Sequence, residues 1–182
     1  MTKVLMLNGS PRLDGNTTTL LSYIERGVLN LEGEVDNLRL RDFNIKPCIS
    51  CFRCQQTNEC KLDDDINEIS NIISNSNVIV FGSPISYWFV SPQLKMIFDR
   101  NVLYENGVFQ NRGAVLAIIT GPKYDKTLSC MLNILMRIIF HGKMVFKGKI
   151  IASGVLEYGD LDKLEDFKDE AITLGQTIMK QD

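Results

Sequence analysis

Mostly apolar runs recur along the chain, and between them apolar residues return at helical spacing. Val4 to Leu7, Val78 to Phe81, Ala114 to Ile119 and Ile150 to Val155 are near-continuous rather than alternating. That pattern marks strands covered on both faces, as in a parallel sheet. The stretch EVDNLRL differs, because Val35, Leu38 and Leu40 are mixed with Asp36, Asn37 and Arg39. It reads as an edge strand. Between strands, Leu20, Leu21, Ile24 and Val28 follow one helix face. Asp65 followed by Glu68 reads as a capping box opening a helix with Ile66, Ile69, Ile72 and Ile73. Ser91-Pro92 is a cap with proline at the first helical position, leading into Leu94, Ile97 and Phe98. A helix over 126–140 carries a polar stripe of Lys126, Ser129 or Cys130, Asn133 and Arg137, with Cys130 expected as a buried thiol. Leu164, Phe167, Ala171, Leu174 and Ile178 predict a last core-facing helix.

Strands alternating with helices predict an α/β, doubly-wound, flavodoxin-like domain over 1–182. Its five-stranded parallel sheet takes the order 2-1-3-4-5, with helices on both faces. Ligands in such folds bind beyond the carboxyl ends of the strands. The segment 41–63 is then a cysteine-rich loop insertion after the second strand, and a loop of that length is usually functional or disordered.

Composition narrows the function classes. A chain of 182 residues buries roughly 70% of its unfolded surface on folding and needs no disulfide staples. Twenty basic against twenty-two acidic residues give a net charge of −2, with no basic run. This argues against nucleic-acid binding and a polybasic membrane anchor. Neither the short N-terminal apolar stretch nor MLNILMRIIF is long enough for a signal core or a membrane span. The expectation is a soluble cytoplasmic protein, with thiols kept reduced.

The loop NGSPRLDGNTTTLL between the first strand and first helix is a candidate phosphate cup. Helix N-termini favour anions, and Ser10, Asn16, Thr17 and Thr18 add donors while Arg12 adds charge. There is no G-x-G-x-x-G and no G-K-[ST], which weakens a dinucleotide site and removes a nucleoside-triphosphate loop. After the third strand, Gly82-Ser83-Pro84 leads into Ile85, Ser86, Tyr87, Trp88 and Phe89, an apolar wall suited to a planar ring system. The fourth strand runs into a turn with Thr120, Gly121 and Tyr124.

Four of the five cysteines, Cys48, Cys51, Cys54 and Cys60, read C-x2-C-x2-C-x5-C. Thiolates are the ligands that iron–sulfur clusters and zinc prefer. Bacterial ferredoxins open with the same two steps, but their fourth cysteine follows sooner and serves a second cluster. From the residues, a cluster, zinc, and bare or disulfide-forming thiols all stay open. Asp63, Asp64 and Asp65 are read as helix capping and dipole complementation rather than a metal site. His141 is read as a cap or surface residue, and Lys95–Asp99 as a surface i, i+4 pair.

NGSPRLDGNTTTLL, GSPISYWFVSPQLKMIFDR and TGP, at successive strand ends, resemble the NADPH-dependent FMN reductase group of the flavodoxin-like superfamily. CISCFRCQQTNECKLDDD is similar to its iron–sulfur flavoprotein branch. The resemblance implies FMN, its phosphate held by Ser10, Arg12, Asn16, Thr17 and Thr18. It places the isoalloxazine against Pro84, Ile85, Ser86, Tyr87 and Trp88 with Thr120 and Gly121. It also implies a 4Fe-4S cluster on Cys48, Cys51, Cys54 and Cys60. Where the family often has Pro-Ile-Tyr and a further aromatic, this chain has Ser86, then Tyr87, so either Tyr87 or Trp88 can be the flavin contact.

The function implied is an FMN-dependent oxidoreductase relaying electrons between cluster and flavin, with NAD(P)H or a ferredoxin-like protein as redox carrier and an unidentified acceptor. No side chain is assigned as catalytic, because the flavin does the chemistry. Family members commonly form homodimers or homotetramers, which the apolar face of the 126–140 helix would suit. The alternatives are an NAD(P)H-dependent FMN or quinone reductase without a cluster, a flavodoxin-type electron carrier, for which −2 is a weak charge, and a thiol–zinc interaction module.

Overall fold

The structure is a computed structural model and describes residues 1–101, 107–121 and 125–180, without the side chains of 101 and 125–127. Tyr124 and the Lys126 side chain, expected in a turn and a polar stripe, lie outside the described residues. The elements in order are β1 Lys3–Asn8, α1 Asn16–Leu29, β2 Glu34–Arg39, the single turn α2 Cys54–Thr57, α3 Ile66–Ser74, β3 Val78–Ser86, β4 Phe89–Val90, α4 Pro92–Asn101, β5 Gly113–Thr120, α5 Asp125–His141, β6 Val145–Ser153 and α6 Glu165–Lys180. Five strands form a parallel sheet ordered β2-β1-β3-β5-β6, the expected flavodoxin-like order. The short β4 is an addition, pairing antiparallel with the end of β3 through Ile85–Val90 and Ser86–Phe89.

Near-continuous apolar strands supply both faces of the sheet. Leu5, Leu7, Ile79, Phe81, Leu116 and Ile118 face α3, α4 and α5. Val4, Met6, Val78, Val80, Val115 and Ala117 face α1 and α6. The stripe Leu20, Leu21, Ile24 and Val28 is buried as expected. Ala171 and Ile178 are buried on α6, with Phe167 and Leu174 packed beside them. Leu164 precedes that helix and is exposed rather than core-facing.

Three local expectations are corrected. The last strand starts at Val145, not Ile150, and Val155 lies beyond its end. Its first half, VFKGK, is exposed or half-buried throughout, as an edge can be, so no apolar run marks it. The capping box at Asp65 is not formed, since the Asp65 side chain makes no bond to the start of α3. Asp65 accepts the Asn44 N–H at 2.6 Å instead. Cys130 is exposed with Ser129, Asn133 and Arg137 on the outer face of α5, while Met131, Leu135 and Ile139 are buried. His141 is exposed, and Lys95 pairs with Asp99 at the surface, as expected. Among the described residues no helix is long and apolar enough to cross a membrane.

Candidate functional site

The first loop lies directly against the start of α4. A Cβ at Gly9 would stand 2.7 Å from Ser91 Oγ and 2.9 Å from Leu94 Cβ, so only glycine lets the backbone pass. Gly9 N–H donates to the Gly82 carbonyl at 2.8 Å, drawing together the ends of β1 and β3. The Ser91-Pro92 start forms as expected, with Ser91 Oγ accepting the Leu94 N–H at 3.3 Å. Beside it opens a cleft of about 250 Å³ at the carboxyl ends of β1, β3, β5 and β6. One end is lined by Ser10, Pro11, Arg12, Gly15, Asn16 and Thr17, and the other by Pro84, Ile85, Ser86, Ser91, Pro92, Ile119, Gly121, Val155 and Leu156.

Ser10 and Thr17 are buried at the closed end, where no acidic side chain sits in the first turn of α1. Among the described residues, no protein acceptor faces the Asn16 and Thr17 amide N–H groups. Thr120 Oγ1, also buried, has no hydrogen-bond partner among the described residues. A closed end with unused donors and no carboxylate suits an anion.

A segment that sequence reasoning missed forms the cleft's outer wall. Arg12 Nη1 donates to the Leu156 carbonyl at 3.1 Å, and its guanidinium lies 5.2 Å over the Tyr158 ring. Asn16 Nδ2 donates to the Glu157 carbonyl at 2.7 Å, and its Oδ1 accepts the Leu161 N–H at 3.4 Å. Asp160 folds this wall by accepting the N–H groups of Leu156 at 3.1 Å and Glu157 at 2.8 Å. The rule that ligands bind past the carboxyl ends applies to the last strand too, and was the signal available for 154–161.

Lys163, and then the Glu157 and Leu156 N–H groups, hold the Asp160 carboxyl down to about 2. A depressed folded value contributes stability that is complete above the unfolded value of ~3.9 and is lost as pH falls toward the folded one. The Leu156 and Glu157 amide protons are therefore expected to titrate in NMR spectra with a midpoint near about 2. A midpoint near ~3.9 would mean that Asp160 does not hold the wall.

Past Ser86, β3 reverses through Tyr87 and Trp88, whose φ angles are +47° and +65°. This is the left-handed geometry that two-residue hairpins normally give to Asn-Gly, and non-glycine residues held there cost roughly 1–3 kcal/mol each. Tyr87 is 89% exposed and Trp88 53%, their rings edge-to-face at 4.5 Å. Phe89 instead packs against the core. The three aromatics do not form one wall.

The cysteine segment leaves the carboxyl end of β2, where Arg41 Nη1 donates to the Pro11 carbonyl at 2.9 Å. Ser50, Phe52 and Asn58 all have positive φ, so the chain coils tightly. The coil places Cys48, Cys51, Cys54 and Cys60 around one small pocket with Ile49, Phe52, Leu62 and Arg100. None of the cysteines is in a disulfide. Burial, and then the neighbouring Cys60, raise the Cys54 thiol's pKa, with Cys48 and Cys51 adding to it. Asp64 Oδ1 accepts the Ile66 N–H at 3.3 Å at the start of α3, as the capping reading expects. The Asp64 side chain also forms a fully buried ion pair with Arg100, at 2.8 Å.

Residues 2–156 match the model of a family described as NADPH-dependent FMN reductase. The chain belongs to the NADPH-dependent FMN reductase family. Over 99 residues it is 36% identical to the iron-sulfur flavoprotein MJ1083 of Methanocaldococcus jannaschii, a match covering 54% of this chain and 51% of that protein. It thus spans about half the length of that relative. An iron-sulfur flavoprotein of Archaeoglobus fulgidus is 29% identical over 180 residues, 97% of this chain and 78% of that one. The fold superposes on an NAD(P)H:quinone oxidoreductase from Methanothermobacter marburgensis with a TM-score of 0.73 at 16% identity, covering 100% of this chain and 98% of that one.

For this FMN reductase family member, the structure gathers most, not all, of the expected site residues. Ser10, Arg12, Asn16, Thr17, Pro84, Ile85, Ser86 and Gly121 line the cleft. Thr18 does not, because its Oγ1 accepts the Asn8 amide at 2.9 Å and faces the Leu13 carbonyl at 3.2 Å. Its role is to fold the loop. Tyr87 and Trp88 stand outside the lining, at the hairpin tip. Thr120 is buried just behind the lining residue Gly121.

Proposed function

We propose that this chain is an FMN-dependent oxidoreductase of the iron–sulfur flavoprotein kind, moving electrons between a reduced carrier and an acceptor. The observation that carries the reading is the convergence of Cys48, Cys51, Cys54 and Cys60 on one pocket in a chain whose strand ends build a separate anion-ready cleft. The family match and the iron-sulfur flavoprotein relatives support it. When bound, FMN supplies hydride and single-electron chemistry, and a four-iron, four-sulfur cluster supplies single-electron relay.

The residues suit both groups. Ser10 Oγ, the Asn16 and Thr17 amides and Arg12 would hold the phosphate end of FMN. Pro84, Ile85 and Ser86 would flank the ring, with Gly121 on the opposite side. The unpartnered Thr120 hydroxyl would gain an acceptor or donor there. Four sulfurs with no carboxylate or imidazole in the lining are a soft donor set that favours iron–sulfur or zinc over harder ions. NAD(P)H or a ferredoxin-like protein as donor, and a homodimer or homotetramer, complete the proposal.

A second reading, an NAD(P)H-dependent FMN or quinone reductase with bare thiols, is favoured by the size of the cysteine pocket. It encloses only about 20 Å³, and would have to widen around a cluster. Absorption spectra of anaerobically purified and reconstituted protein, with flavin, iron, sulfide and zinc quantified on the same sample, separate the two. The first reading expects FMN with about four irons per chain. Flavin without iron selects the second, and zinc without flavin sinks both.

A further inference from the structure

Arg100, near the end of α4, is 3% exposed, and among the described residues every bond its guanidinium makes is directed at the cysteine segment. Nη1 donates to Asp64 Oδ2 at 2.8 Å and to the Lys46 carbonyl, and Nη2 donates to Asp64 Oδ1 at 3.0 Å and to Cys60 Sγ at 3.0 Å. Asp64 Oδ2 also accepts the Lys46 N–H at 2.8 Å, and Oδ1 the Ile66 N–H at 3.3 Å. The Cys60 backbone is held independently, its N–H and carbonyl both bonded to the Asn67 side chain at 2.9 Å. Cys60 is therefore tied into the fold through its backbone and its sulfur.

Such an ion pair is an expensive way to pack a loop. Desolvating both charges costs much of their attraction, and an apolar pair of similar volume often does as well. What an apolar pair cannot supply is a donor aimed at sulfur, and a guanidinium is a donor that keeps its proton at any working pH. Hydrogen bonds to cluster sulfurs and local charge are among the main determinants of iron–sulfur reduction potentials. The other end of α4, Ser91 and Pro92, lines the flavin cleft. Eight residues at ~1.5 Å rise put the two ends roughly 12 Å apart.

We propose that Arg100, locked by Asp64, is the positioning residue of the four-cysteine site: it fixes the Cys60 arm and holds a permanent N–H donor on the ligating sulfur, raising the potential of the centre built there. The role rests on the four-thiolate reading above. Because Asp64 balances the charge of Arg100, removing both residues together leaves net charge unchanged while deleting the N–H···S bond, along with the pair's bonds to the Lys46 and Ile66 backbone.

The test compares the full-length parent, the double variant Arg100→Met/Asp64→Leu and the single variant Arg100→Lys, each reconstituted anaerobically with iron and sulfide. Readouts are iron content, melting temperature, electron paramagnetic resonance and reduction potential. The double variant is expected to fold and either lose iron while keeping FMN, or keep the cluster with its reduction equilibrium shifted about tenfold toward the oxidised form, about 59 mV for one electron. Arg100→Lys, which keeps a charge but loses the planar fork, is expected to shift in the same direction and carries the test if the double variant does not fold. Unchanged potential and resonance in a folded, iron-loaded variant overturn the role of Arg100 and leave the cluster reading intact. No iron in the parent overturns the cluster reading, and this role with it.

Discussion

With Cys48, Cys51, Cys54 and Cys60 all replaced by serine, the protein is expected to hold no iron and no sulfide yet to bind FMN as the parent does. The two sites share no lining residue, so no flavin contact is removed. Cys51 is exposed, and Cys48, Cys54 and Cys60 are half-buried. Serine is close in shape, and its hydroxyl can accept the Arg100 N–H that Cys60 Sγ accepts at 3.0 Å. Away from special features such changes shift stability by about 0.5 kcal/mol, equivalent to a two- to threefold change in affinity. Flavin titration and metal analysis of one preparation check both halves. Hydride transfer from NAD(P)H to bound FMN should survive, while reduction of a one-electron acceptor through the cysteine site should be lost. Loss of FMN together with iron would show that the cysteine segment builds the flavin cleft, contrary to the geometry.

The largest stability effect is expected where α1 crosses α6. A Cβ at Gly27 would lie 2.1 Å from the Ile172 carbonyl oxygen and 2.9 Å from Gly175 Cα, and one at Gly175 would lie 2.1 Å from the Ile24 carbonyl oxygen. The obstructing atoms are backbone, so no rotamer change relieves the clash and the helices must separate. Overpacking commonly costs about 1–3 kcal/mol and occasionally more. Gly27→Ala is expected at or beyond the upper end, about 3–4 kcal/mol. At ~2–4 °C per kcal/mol for a chain of this size, that lowers the melting temperature by about 10 °C. In an open helix the same change would stabilise by roughly 0.8–1 kcal/mol, so the sign alone is informative. Because α1 begins at Asn16 and Thr17, weaker FMN binding should accompany the loss. A variant as stable as the parent would mean that the helices do not touch.

The low-pH limb of stability follows from Asp64. Burial opposes its ionisation, but the Arg100 bonds and then the Lys46 and Ile66 N–H groups outweigh burial and lower its pKa. Its contribution is therefore complete above the unfolded carboxylate value of ~3.9 and lost as pH falls below it.

Much of this molecule follows from local chemistry. Continuous apolar runs of β1, β3 and β5 placed three central strands, because a strand buried on both faces has no polar position to spare. The mixed pattern of Glu34–Arg39 identified an edge for the same reason. The turn residues from Asn8 to Asn16 marked a bend over a helix start, and three cysteines at C-x2-C steps with a fourth nearby marked a thiol site. The errors share one cause, which is that several partners compete for each polar group. Asp65 has the spacing of a cap, yet its carboxylate is taken by Asn44, whose position depends on how the insertion folds. Thr18 has a donor suited to phosphate, yet the Leu13 carbonyl takes it. Cys130 sits on a helix whose buried side is chosen by the sheet.

The chain's own pattern of apolar runs, turns and thiols thus determined the fold class, the strand order, the cleft's closed end and the grouping of four cysteines in one segment. Tertiary structure alone decided that 154–161 walls the cleft, that Tyr87 and Trp88 stand on a strained hairpin tip, and that Arg100 and Asp64, 36 residues apart, meet at Cys60. Periodicity and turn chemistry act over a few neighbouring residues and are written locally. Which distant side chain satisfies a buried charge is settled only when packing brings the candidates together and leaves a single geometry in which that charge is paired.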